Sequence, residues 1–439
     1  MFQASQAGVI AIQASKRWLA VFAAIILAPW LVLLTINLPN LNGRSALGGF
    51  SHGSSHKQKW APLAKGPWGD IKVSRIVIEP PEESLLGYLN YPKPVWVFKG
   101  YTGEMYRHLL CSAGLSADQI TEMENSARWG VSGEGCTVSP SDQLVLNLTP
   151  ESRRTLYSAL SMFEENLFQH EPFRFRADFA DEWFANSGVP ESLQKLVRHL
   201  TYRRGNTLLF SDPHLVLPII PSESEKVRLL RTLSRQSTLT MQLHVSPETD
   251  LDSLLDYWAP HEDNVKDIKP LLESVSKIPD GFDIDIIHFL PRFARKRIYT
   301  YPRANGDKGE TSCDCHWNSM NFWNDPPDDQ FACATNVIHA LETDYETVLD
   351  NFRFGDIVLF MKSDTQAIHS AIYIADKVVF TKNGPSEHSP WILMDMDTLI
   401  SHYSTNTDLT IRGYRKKRGE AEGHSGAAHV SMPTPAPAK

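Results

Sequence analysis

Cys315, His369 and Asn383 give the chain a thiol, an imidazole and an amide in the order nucleophile, base and orienting group. A thiolate formed beside such a base attacks carbonyl carbon. Cys315 stands in the run Cys313-Asp314-Cys315-His316-Trp317, which closes at Asp325-Pro326-Pro327. Asp314 is a favourable N-cap and Trp317, Met320, Phe322 and Trp323 are apolar, so the run predicts a short, mostly buried helix with the thiol in its first turn. Unpaired N–H groups and the helix dipole at that end favour a thiolate. A lone cysteine is as readily a buried structural residue; what singles out Cys315 lies downstream.

About 40 residues on, Gly355-Asp356 precedes the apolar run Ile357-Val358-Leu359-Phe360, a turn followed by a strand. The next strand covers residues 368–374. Its period of two puts His369, Ala371 and Tyr373 on one face and Ile368, Ile372 and Ile374 on the other, with the small Ala371 leaving room for a helix beside the histidine. A third strand, residues 377–381, delivers Lys382-Asn383-Gly384, where Asn-Gly is also a turn signal.

These residues resemble the NlpC group (NlpC/p-sixty) of papain-like cysteine peptidases: Asp-Cys at a helix start, Gly-Asp before a strand, His-x-Ala-Ile-Tyr, then a polar residue after the next strand. The resemblance spans about residues 296 to 415. It implies Cys315 as nucleophile, His369 as base, Asn383 as orienting residue and Tyr301 as an upstream site tyrosine. It also implies a peptide substrate from the bacterial cell wall, commonly cut between D-glutamate and a diamino acid, with no metal or organic cofactor. The chain departs from the pattern at His316-Trp317, where the family usually has Ser-Gly, and at Asn383, where it most often has histidine. Two other readings keep the fold: a catalytically inactive envelope scaffold or binding protein, and a thiol acyltransferase or esterase.

With 439 residues, 42% of them hydrophobic, the chain has material for two or three domains. Its net charge of −8 and the lack of a basic, aromatic-rich stretch argue against a nucleic-acid partner. In an oxidising compartment Cys111 with Cys136 and Cys313 with Cys333 are conceivable pairs that leave Cys315 free. Zinc at Cys313, Cys315, His316 and Cys333 lacks the usual spacing. Alternation explains Asp283, Asp285 and His288 as the wet side of a strand rather than a metal site. No Walker loop, GxGxxG, HExxH or GxSxG occurs.

The elements that must position the site follow an N-terminal anchor. Residues 1–17 read as a cytoplasmic arm ending in Lys16-Arg17, and residues 18–38, uncharged and about the length that crosses a bilayer, as a retained transmembrane helix. The bulk then lies on the periplasmic, extracytoplasmic side. Residues 39–68, rich in Gly, Ser, Asn and His, read as a flexible linker. Residues 69–210 predict a mixed α+β domain, with strands at 71–78 and 95–98 and a helix capped by Thr149-Pro150 whose Leu156, Leu160, Phe163 and Leu167 share a face. Residues 211–295 predict a mainly helical region, with a capping box at Ser222 and Glu225 and a helix starting at Ser246-Pro247. Residues 296–417 form the NlpC-like module and residues 418–439 a disordered tail. The fold class expected is α+β, with an antiparallel sheet packed on the helix that carries Cys315.

Overall fold

The computed structural model describes residues 59–417 apart from 132–133, 303–313, 385, 387 and 404–408. The arm, the expected membrane span, Cys313 and the tail therefore lie outside the described residues. Among the described residues no helix is long and apolar enough to cross a membrane. The chain is α+β and its strand pairings are antiparallel.

A first sheet orders the strands Ala61–Pro62, Asp70–Ile78, Gln236–Val245 and Phe282–Asp285. The two long strands pair from Asp70 opposite His244 to Ile78 opposite Gln236, although some 150 residues separate them in the chain. Those intervening residues build two three-stranded sheets and several helices around a core of their own, including Trp96, Tyr106, Tyr157, Trp183, Phe210 and Leu230. A six-stranded sheet closes the chain, ordered Tyr345–Val348, Thr410–Lys416, Ile357–Ser363, Gln366–Ala375, Val378–Lys382, Trp391–Asp395.

Hydrophobic packing joins segments that the sequence reading had parted at 210/211 and 295/296. One cluster contains Ile71, Leu243, Trp258 and Phe289 together with Trp317, Phe322, Ile372 and Trp391. The reason is a seam of polar side chains between the two larger sheets. Thr238 Oγ1 accepts from Leu393 N and donates to Leu393 O, both at 3.0 Å, so one threonine substitutes for a strand pairing. Tyr257 donates to Ile374 O at 2.8 Å and Tyr299 to Leu239 O at 2.7 Å. The linker expected through residue 68 also ends earlier: Ala61 and Pro62 pair with Val73 and Lys72, and Trp258 Nε1 donates to Trp68 O at 3.0 Å.

The Gly-Asp turn before Ile357 is structural. Gly355 has φ +92, a left-handed conformation that a side chain disfavours, and an added Cβ would stand 2.4 Å from the Trp323 ring. Asp356 accepts from Arg415 Nε at 2.9 Å, from Arg415 Nη2 at 2.7 Å and from Arg353 N at 2.7 Å. That fork ties the turn to the closing strand.

Local signals fail where something else satisfies the backbone. Thr149 caps Pro150–Leu160 as expected, but Leu167 is 53% exposed because the helix stops at Leu160. Ser222 bonds to Ser224 instead of completing a capping box. Ser246-Pro247 forms a turn, and the next helix, Leu251–Trp258, is capped by Asp250. Cys111 and Cys136 are free, the first exposed and the second facing a core; Cys333 is free and exposed, and Cys313, its conceivable partner, lies outside the described residues.

Inside the intervening segment, the fully buried Arg153 donates to Asp212 Oδ2 at 3.2 Å and to Leu148 O at 2.8 Å, while Tyr157 donates to Asp212 Oδ1 at 2.8 Å. Burial holds the Asp212 carboxyl up at about 6, with Arg153 and Tyr157 opposing it. Arg153→Ala leaves that carboxylate uncompensated and should lower stability by about 3–5 kcal/mol near pH 8 in urea unfolding. Its loss raises the Asp212 pKa above about 6, so the deficit should shrink as pH falls from 8 towards 6, where the variant's acid takes up its proton before the wild type's does, and level off below 6. A deficit that stays constant with pH would refute this account.

Candidate functional site

The helix Cys315–Met320 starts where the sequence predicts, with Asp314 Oδ1 accepting from Trp317 N at 2.8 Å. Trp317 and Met320 enter the main core, and the helix rests on one face of the strand Gln366–Ala375. Ser370 fixes it there: its Oγ donates to Cys315 O at 2.9 Å and lies 3.0 Å from Ser319 Oγ.

Period two turns His369 to the opposite face, with Ala371 and Tyr373. Those residues pack with Val358, Phe360 and Leu399, away from the helix. The helix was expected beside His369 and Ala371; instead it sits on the Ser370–Ile372 face. Ile368 was expected opposite His369, yet it packs against the same cluster as Ala371 and Tyr373. The register shift between Phe360/His369 and Met361/Ala367 explains this, because Ile368 is the extra residue of a bulge.

His369 is fully buried. Its ring stacks on Tyr403 at 4.3 Å between centroids, and Nε2 lies 2.8 Å from Thr381 Oγ1. The Thr381 hydroxyl donates to Asn383 Oδ1 at 3.3 Å. A hydroxyl has one hydrogen: if it is directed at Asn383, the oxygen accepts from His369 and Nε2 carries the imidazole proton. Nδ1 is then the lone-pair nitrogen, and it is buried without a partner. Burial, followed by His316 and His402, pushes the His369 pKa well below its ordinary value, so the ring is neutral.

Cys315 is 6% exposed. The expected thiolate is not the resting form: burial, then Asp314, pushes the thiol up to about 12, against the opposing backbone N–H groups of Ser370, Cys315 and His316. Desolvation outweighs the short helix's dipole. No hydrogen bond joins Cys315 to His369, and the thiol's electrostatic neighbour on that side is the Tyr403 hydroxyl.

Cys315 and Asn383 do share the wall of one cavity of about 720 Å³, with His316, His402, Tyr403 and, from the intervening segment, Tyr88, Tyr91, Phe168 and Arg174. That volume suits a small organic or peptide ligand. Tyr301 is not in this wall; its hydroxyl lies 3.3 Å from both Ile78 O and Ser234 O, two carbonyls that occupy it. The tyrosine beside the thiol is Tyr403, at the end of the helix Met396–Tyr403, which no local pattern marked. Thr381 was legible in principle, since it lies two residues before Asn383 and so on the same face. At the other position weighed for a metal, Asp283 is engaged by Lys72 and by His244 Nδ1, the latter at 3.0 Å. Among the described residues no group of three or more His, Cys, Asp or Glu side chains could hold a metal.

No protein-family model, curated protein or solved structure matches the chain.

The buried thiol predicts an order of reactivity. Backbone and side-chain donors at Thr335 and Asn336 lower the pKa of the exposed Cys333. Iodoacetamide at pH 7 without ligand should therefore alkylate Cys333 before Cys315, as read by peptide mass spectrometry. The Cys315 rate should rise about tenfold per pH unit from 7 to 10, because only the thiolate reacts. A plateau below pH 9 would contradict a thiol held near 12.

Proposed function

We propose that the protein is a membrane-tethered cysteine hydrolase of the NlpC type, which opens an amide bond in a cell-wall peptide. The single observation that carries this reading is the chain of contacts from His369 Nε2 to Thr381 Oγ1 and from Thr381 to Asn383 Oδ1, which leaves Nδ1 buried and unpartnered, a costly arrangement unless that nitrogen is used. A ligand-sized cavity that holds Cys315 and Asn383 supports it, as does the order of thiol, imidazole and amide along the chain. The apolar residues 18–38 supply the tether and set the bulk outside the cytoplasm, facing the wall.

In the reaction His369 Nδ1 takes the thiol proton and Cys315 Sγ forms a bond to the amide carbon. The tetrahedral adduct collapses as the amine leaves with that proton, giving a thioester. Water, deprotonated by the same nitrogen, then cleaves the thioester to acid and free thiol. Thr381 and Asn383 keep the imidazole in the required tautomer throughout. Thiol and imidazole are not hydrogen bonded in the free protein, so substrate must bring them together; catalytic contacts often tighten only in the complex.

A second reading, the same fold as a catalytically silent envelope scaffold or binding protein, is favoured by the thiol's elevated pKa and by His316-Trp317 after the cysteine. Acyl transfer or ester hydrolysis needs the same groups and differs only in the bond opened and in the acceptor.

Incubation with muropeptides and product analysis separates these readings. The wild type should release a new amino terminus, and Cys315→Ala none. Thr381→Val, which keeps the side chain's shape but loses the relay, should lower kcat on the order of 10²-fold with little change in KM. No cleavage by the wild type would reject the peptidase, and cleavage retained in Cys315→Ala would remove Cys315 from the chemistry.

A further inference from the structure

A second, smaller cavity of about 60 Å³ adjoins the cysteine cavity, and Arg174, Gln236 and His402 stand in the walls of both. Its wall carries four arginines: Arg75 from the first sheet, Arg174 and Arg176 from the strand Phe173–Arg176, and Arg235. The one carboxylate in that wall, Asp395, uses Oδ1 to accept from the backbone of Asp397 and Thr398.

The arginines are not equally satisfied. Arg235 Nε donates to Glu79 at 2.6 Å and its Nη1 to Trp183 O and Ala185 O at 3.0 and 2.8 Å, so it is a fixed wall group. Arg75 Nη2 is bonded to Glu182 at 2.6 Å and its guanidinium lies 3.3 Å over the Phe179 ring, yet its Nη1 is buried with no partner. Arg176 donates to Asp178 at 2.9 Å and to Thr398 at 3.0 Å, and its Nε is likewise buried without one. Among the described residues Arg174 forms no ion pair, although the Glu171 carboxylate in the cysteine cavity's wall acts on it electrostatically; its Nη1 donates to His402 Nε2 at 3.1 Å. That bond requires the lone pair of a neutral imidazole, so His402 offers no positive charge and takes none away.

Buried N–H groups on cations with nothing to donate to are costly, and arginines are spared that cost when an oxyanion accepts from them. We propose that this cavity is an oxyanion subsite, which takes a carboxylate or phosphoryl group of a ligand whose body lies in the cysteine cavity. Arg174 is the gatepost, since it belongs to both walls. The volume holds roughly four waters, enough for one such group and no more. As a statement about substrate, that an acidic group sits beside the bond to be opened, the proposal rests on the hydrolase reading. As a statement about anion binding it does not.

The experiment uses the full chain and its Cys315→Ala variant, titrated calorimetrically with glutarate and with inorganic phosphate against sodium chloride at equal ionic strength. Saturable binding of at least one oxyanion to both proteins is expected. Tighter glutarate points to a carboxylate as the natural group, tighter phosphate to a phosphoryl. Arg174→Met should weaken that binding at least tenfold. Arg174→Lys, which keeps the charge but loses the fork, should fall between. Circular dichroism checks that each variant is folded. If Arg174→Met does not fold, Arg176→Gln replaces it with the same expectation. Neither oxyanion binding better than chloride, or binding unchanged in a folded variant, overturns the proposal. Binding retained by Cys315→Ala while the wild type cleaves nothing would keep the subsite and reject the hydrolase.

Discussion

Ser370 governs where everything around the thiol can be. By holding the carbonyl of Cys315 and the hydroxyl of Ser319 from inside the sheet, it fixes the first turn of the cysteine helix against one face of its strand. The neighbouring residue, His369, must then project from the other face. The alternation of the strand breaks beside that residue, at the bulged Ile368, and Tyr403 lies against the imidazole. The two polar groups are thus built into different packing layers of one sheet, each with its own supports.

The same sheet explains why the cavity needs the rest of the chain. The cysteine helix buries its apolar side in the core shared by the two larger sheets, which leaves the Cys315 end at the margin of that core. Residues 79–235, which leave and rejoin the first sheet as one long excursion, close over this margin and contribute Tyr88, Tyr91, Phe168 and Arg174 to the cavity. Tyr88 packs edge-on against His388 at 4.6 Å and Tyr91 against Phe168 at 5.0 Å. The wall that would choose a ligand is therefore separate in sequence from the groups that would react with it.

What the sequence disclosed and what it hid divide along that line. Features set by near neighbours were legible: the Asp314 cap, the Gly355 turn and the alternating strands. Solvation was not, because the helix-end argument for a thiolate weighs a dipole without knowing whether water reaches the sulfur. The face on which the helix docks was hidden too. Ala371 is small enough to admit it, but Ser370 is small as well and supplies hydrogen bonds. Tyr301 shows a third blindness, since nothing local foretells that the carbonyls of Ile78, at a strand end, and Ser234, at a helix end, will lie within reach of its hydroxyl. Nor could spacing reveal the joined core, which depends on Thr238 meeting Leu393 across a long separation in sequence.

Magnitudes then decide what state the pair can occupy. Moving a thiol from its ordinary 9.0 to about 12 disfavours the thiolate by roughly 4 kcal/mol. If Cys315 and His369 came within about 4 Å, the attraction between thiolate and imidazolium would be roughly 4 kcal/mol at an effective dielectric near 20. Contact alone would thus offset the cost at the sulfur. It would not also offset the burial that keeps His369 neutral. On these numbers the free protein holds a thiol and a neutral imidazole.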